Sequence, residues 1–218
     1  GGGISNVANF TSVGAVDVTS DIATTESQEY QNLVRLNANA TFTGTSGTFT
    51  GALDGNGNDL TLNFSSITTI DGNNVFSNLG SLTSHGDVNL NGTIVTANVQ
   101  TYEANMTLVG PTVLQAQQGV INGTLNGNSN DLTLDFATET AIAGDGNGIN
   151  NLTVVGPALL GASVTTIGSQ EYQSPVALSA ATVLTGTNGT FTGVLNGNEN
   201  DLTLNFEDAT TIDGNNVF

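Results

Sequence analysis

The sequence predicts an all-β fold, a right-handed parallel β-solenoid with about three coils to each repeat of roughly 72 residues. Three observations carry this. One segment recurs almost unchanged along the chain, its apolar residues alternate with period two, and the recurring strands are separated by Gly, Asn and Asp corners. Gly55-Asn-Gly-Asn-Asp-Leu-Thr-Leu-Asn-Phe64 returns as Gly127-Asn-Ser-Asn-Asp-Leu-Thr-Leu-Asp-Phe136 and again as Gly197-Asn-Glu-Asn-Asp-Leu-Thr-Leu-Asn-Phe206.

The elements follow in order within one repeat. Gln28-Glu-Tyr30, Gln100-Thr-Tyr102 and Gln170-Glu-Tyr172 open it. Val34 and Leu36 then flank Arg35, as Met106 and Leu108 flank Thr107 and as Val176 and Leu178 flank Ala177, so the outer pair faces a core and the middle residue faces water. Phe49, Gly51 and Leu53 alternate next, matched by Ile121, Gly123, Leu125 and by Phe191, Gly193, Leu195. A Gly/Asn turn leads into Leu60, Leu62 and Phe64. Gly51, Gly123 and Gly193, like Tyr30, Tyr102 and Tyr172, are read as structural marks of the repeat. The Gly, Asn and Thr content and the lack of a sustained apolar stripe leave no helix.

Residues 1–218 are expected to form one continuous solenoid segment. Its repeats run approximately over 28–99, 100–169 and 170–218, the last completed in phase by 1–27. Neither end carries an atypical polar cap, so the chain reads as a window of a longer array. Division of the repeat by three gives a coil of roughly 24 residues and about nine coils at the ~4.8 Å inter-strand spacing, with four shorter coils per repeat as the other division. Tandem small β-sandwiches are the alternative, although about 70 residues is short for a sandwich domain of about 100.

Composition narrows function. The 218 residues include 28 Gly, no Cys, one Lys or Arg, one His and 19 Asp plus Glu, for a formal charge of −18. Nucleic acid and anionic membrane surfaces are bound through basic clusters that this chain lacks. No apolar run approaches the about 18 residues needed to cross a bilayer. With 37% apolar residues the chain can still bury a core.

Val164-Thr-Thr-Ile-Gly-Ser-Gln-Glu-Tyr-Gln173, Val176-Ala-Leu-Ser-Ala-Ala-Thr-Val-Leu-Thr-Gly186 and Asp201-Leu-Thr-Leu-Asn-Phe206 have counterparts in all three repeats. In these segments the chain resembles the filamentous-haemagglutinin type of large bacterial exoprotein. The resemblance implies export, a long solenoid and an adhesin or surface fibre, with a host receptor, cell-surface receptor or glycan as partner.

Asp54, Asn56, Asn58 and Asp59, with the later acids Asp131 and Asp201, offer oxygen ligands for weak calcium binding. Against this, Asp59 and Ser65 stand at the sixth and twelfth positions, where a calcium loop of the EF-hand type needs Gly and an acid. Asn and Gly also suit left-handed corners. Beyond calcium no cofactor is expected.

Eight Asn-x-Ser/Thr sequons, at Asn9, Asn39, Asn63, Asn91, Asn105, Asn122, Asn151 and Asn188, could carry sugars on an exported chain. Thr41/Thr43, Thr48/Thr50 and Thr190/Thr192 raise an ice-binding face, and the three tyrosines a sugar-stacking row. His85 has no second His or Cys with which to share a metal. Catalysis is not expected, because an active site occurs once whereas Asp59, Asp131 and Asp201 recur in every repeat. The expected function is that of a structural or adhesive extracellular fibre segment that associates with itself end to end or laterally. The alternative is a ligand-binding solenoid module for carbohydrate, calcium or ice.

Overall fold

The computed structural model describes residues 3–71 and 75–213. Among these there is no helix, and 25 strands from Ile4–Val7 to Leu202–Ile212 join into one continuous sheet. Every described pairing is parallel, as in Phe42 with Leu62 and Leu152 with Gln170. Parallel stacking of successive coils makes a β-solenoid of about 10 turns. It rules out tandem antiparallel sandwiches. At ~4.8 Å per coil the rod is roughly 48 Å long.

Coils are shorter than expected. One turn of the chain carries Ile4 onto Ile22 and, with the loop after Leu53 included, Phe42 onto Leu62 and Leu53 onto Phe76. Each coil has three faces. Ile22, Phe42 and Leu62 begin the inward column of face one, Tyr30, Phe49 and Ile70 that of face two, and Val34, Leu53 and Phe76 that of face three. The longer strands round a corner between faces. Ala40–Phe49, for example, shifts register between Gly44 and Ser46.

The coil count per repeat also differs from three. Gln28, Gly47, Thr68 and Val88 are joined by three successive pairings, so three coils carry the chain from Gln28 to Val88. The next copy of Gln28 is Gln100, which lies two faces beyond Val88. The same steps run from Gln100 through Gly119 and Thr140 to Ala158, and again stop two faces short of Gln170. One repeat is therefore three coils and two thirds of a fourth. Dividing the repeat by three therefore overstates the coil, and dividing it by four would understate it.

The core is apolar and nearly closed to solvent. Phe42, Leu62, Leu108, Leu134, Val154 and Leu178 are all fully buried. Rings continue from coil to coil along face two and onto face three: Phe10 and Tyr30 have centroids 5.7 Å apart, Tyr30 and Phe49 4.8 Å, and Phe49 and Phe76 5.3 Å.

Two sets of glycines permit close approach. A Cβ on Gly47, Gly119 or Gly189 would come within 2.3, 2.0 or 2.2 Å of the ring of Phe64, Phe136 or Phe206 on the following coil. A Cβ on Gly51, Gly123 or Gly193 would come within 2.2, 2.2 or 2.3 Å of the backbone of Asn32, Ala104 or Ser174 on the preceding coil.

Candidate functional site

The feature that projects from each repeat is the loop after its Leu-Asp or Leu-Asn pair. Its frame is the same three times. The Asp54 Oδ1 accepts a hydrogen bond from the Asn56 N–H at 3.1 Å, the Asn126 Oδ1 from the Asn128 N–H at 3.1 Å, and the Asn196 Oδ1 from the Asn198 N–H at 3.0 Å. Two consecutive residues then turn left-handed: Asn56 and Gly57 (φ 49° and 81°), Asn128 and Ser129 (46° and 63°), Asn198 and Glu199 (47° and 65°). The amides of Asn58, Asn130 and Asn200 reach back to the Leu36, Leu108 and Leu178 carbonyls of the preceding coil at 3.2, 3.2 and 3.3 Å. Asn suits the left-handed region, whereas Ser129 and Glu199 occupy it at a cost of about 1–2 kcal/mol each. The frame is thus constant and the tip residue varies.

Asp54, Asn56, Asn58 and Asp59 share the first loop, between Leu53 on face three and Leu60 on face one. Asp131 lies in the second loop, between faces two and three, and Asp201 in the third, between faces one and two. The six residues therefore form no single site, and the three repeated acids stand on three different edges.

The acids of the first two loops hold protein donors. Asp54 accepts from the Asn78 amide at 3.1 Å and faces the Arg35 guanidinium at 3.8 Å. Asp59 and Asn39 bond each other through the Asp59 N–H at 3.0 Å and the Asn39 amide at 3.4 Å. Asp131 accepts from the Asn150 amide at 2.8 Å and from the Asn151 N–H and amide at 3.1 and 3.0 Å. Among the described residues no three His, Cys, Asp or Glu side chains cluster as a metal site.

The same chemistry ties the corners elsewhere. The Asn9 Oδ1 accepts from the Ser27 N–H, the Asp87 Oδ1 from the Asn105 N–H, the Asn105 Oδ1 from the Thr124 N–H, and the Asn151 Oδ1 from the Ser169 N–H, at 3.1, 3.0, 3.2 and 3.0 Å. In each case an oxygen on one coil satisfies a backbone donor on the next. Several sequon asparagines, Asn9, Asn39, Asn105 and Asn151 among them, are members of these ladders.

The tyrosines are interior groups. Tyr30, Tyr102 and Tyr172 are 1%, 1% and 0% exposed, which removes them from any sugar-stacking surface. Their hydroxyls donate to the Oε1 of Gln28, Gln100 and Gln170 at 2.8, 2.9 and 3.0 Å. Each glutamine amide then donates to two backbone carbonyls, one in its own coil and one in the next. These are Ile22 and Thr43 (3.1 and 2.8 Å), Ile94 and Gln115 (3.0 and 2.9 Å), and Val164 and Thr185 (3.0 and 2.8 Å). Both amide hydrogens and the acceptor oxygen are thereby used. Burial pushes all three phenols well above the ordinary tyrosine range. Sequence reading missed the role of the glutamines, although their recurrence two residues before each tyrosine was the signal.

The remaining surface features are modest. A groove of about 490 Å³ lies beside the first loop, lined by Asp54, Asn56, Gly57, Asn78, Leu79, Val95, Thr96 and Ala97. His85 pairs with Glu103 at 2.5 Å on the exposed wall. On face one Thr41, Thr61, Thr83 and Thr101 stack in one outward row, but the row continues as Val120 and Ala141, and Asn63 follows Thr43 in the parallel row. A regular double row of threonines is therefore absent there. Comparison with protein-family models, with curated proteins and with solved structures finds no match for the chain.

Proposed function

We propose that the chain is a structural or adhesive segment of an extracellular fibre, belonging to a repetitive bacterial surface protein of the filamentous-haemagglutinin type. The observation that carries this reading is the unbroken parallel stack. Each coil is held by its two neighbours, so length adds stability by local contacts alone. Its interior is largely apolar, with the buried Gln–Tyr pairs hydrogen-bonded to one another, and its repeated surface features are spread around the rod instead of converging on one cleft. A mechanical element needs these properties, whereas a catalyst needs one unique grouping of acids with opposed environments. The partners that fit are further copies, joined end to end or side by side, and a surface receptor or glycan. The charge of −18 disfavours polyanions.

Electron microscopy of the native, full-length protein on its cells, with antibody labelling of this segment, tests the reading. Thin unbranched labelled fibres with the ~4.8 Å axial spacing of stacked strands are expected, unchanged by a calcium chelator. Label confined to compact particles, or to the cell interior, would overturn it.

A further inference from the structure

Because a repeat holds two thirds of a coil beyond a whole number, equivalent residues of successive repeats fall on different faces. Tyr30 lies on face two with Phe49, Tyr102 on face one with Ile121, and Tyr172 on face three with Phe191. The projecting loops move in the same order, from the edge between faces three and one, to that between two and three, to that between one and two. The Gly47/Phe64, Gly119/Phe136 and Gly189/Phe206 contacts move with them. Three independent features thus share one rotation. It is allowed because all three inward columns have the same chemistry, so a repeat can sit on any face of the coil beneath it.

We infer that each repeat is a screw step of one third of a turn, that the loop is thereby presented to three sides, and that repeat number sets the direction in which everything beyond is presented. One step advances the rod by roughly 18 Å, and three steps restore the facing after roughly 53 Å, at ~4.8 Å per coil. A flat partner lying along one edge meets one loop in three. Separate partner molecules approaching from three directions each meet a loop of their own. Gain or loss of a single repeat turns any distal element by a third of a turn, while a change of three repeats leaves its facing intact.

The chain has no cysteine, so paired spin labels can be placed without background. Thr48 and Asn205 lie in one outward row on face two of the full chain, whereas Asn196 lies on face one. Deleting residues 100–169 places repeat three where repeat two was, so that Asn196 takes the position of Asn126 in the row of Thr48 and Asn205 leaves it. Pulsed electron–electron resonance on Thr48→Cys/Asn196→Cys in the deletion variant should give an axial separation of four coils, roughly 19 Å at ~4.8 Å each. A variant in which Asn205 instead remains in line with Thr48 would overturn the inference.

Should the deletion fail to fold, the undeleted chain supplies the same test. Thr41, Val113 and Val183 are outward equivalents on faces one, three and two. The Thr41→Cys/Val113→Cys and Val113→Cys/Val183→Cys distances should coincide, and clearly unequal distances would refute a common screw step. The outcome is independent of whether fibres form on cells.

Discussion

At the scale of the residue, the most consequential side chains are the buried glutamines. At the bulged corner, carbonyls such as Thr43 and Gln115 accept hydrogen bonds from an interior amide. An unsatisfied buried group costs about 1–3 kcal/mol, so removing one glutamine costs more than removing the hydroxyl that leans on it. Gln100→Leu strands the Ile94 and Gln115 carbonyls and the Tyr102 hydroxyl together. It should lower stability by about 3–5 kcal/mol, against about 1 kcal/mol for Tyr102→Phe. Urea unfolding checks this, with the midpoints shifting in that order and the slopes unchanged. The recurrence of Gln-x-Tyr was plain in the sequence, but its purpose was not, because nothing in the chain's lettering tells which carbonyls a bulge exposes to the interior.

At the scale of the element, strands and corners were legible and coil length was not. Alternation at Leu60, Thr61 and Leu62 gives the inward and outward sides directly, and the structure keeps them, with Leu60 and Leu62 buried and Thr61 half-buried. Coil length escaped because it is not constant: the Leu53-to-Phe76 coil carries a projecting loop that the Ile4-to-Ile22 coil lacks, and such differences blur coil-to-coil similarity. The expected Asp and Asn corners exist, but as axial ladders: their carboxylate and amide oxygens accept N–H groups from an adjoining coil. The candidate calcium ligands Asp54, Asp59 and Asp131 are drawn into such bonds. Asn105→Ala removes the acceptor for the Thr124 N–H and Oγ1, at 3.2 and 2.7 Å. Water can replace it at this exposed corner, so a loss of about 1 kcal/mol is expected, against less than about 0.5 kcal/mol for the outward Asn122→Ala. Thermal unfolding of the two variants side by side measures the difference.

At the scale of the whole molecule, the architecture was legible from the repeat but its phase was hidden, since sequence similarity between Tyr30 and Tyr102 is blind to the face on which each lies. The phase scatters the three buried phenols along the rod and around it, and so makes them reporters of how the rod comes apart. Each phenol is held protonated by burial, whereas in the unfolded chain it ionises near pH 10. Their contribution is therefore intact below about pH 10 and lost as the pH rises beyond it, because only the unfolded state releases protons there. Each phenol steepens the loss by about 1.4 kcal/mol per pH unit, and three acting together by about 4. Ultraviolet absorbance of tyrosinate followed against circular dichroism reads the outcome. If the stack is one cooperative unit, all three phenols ionise in a single step coincident with loss of sheet. Solenoid contacts join only neighbouring coils, so a weakened segment can also open alone, and Gln100→Leu should then release Tyr102 at lower pH than Tyr30 and Tyr172. Ionisation of any of the three while the sheet signal stays whole would contradict their placement in the core.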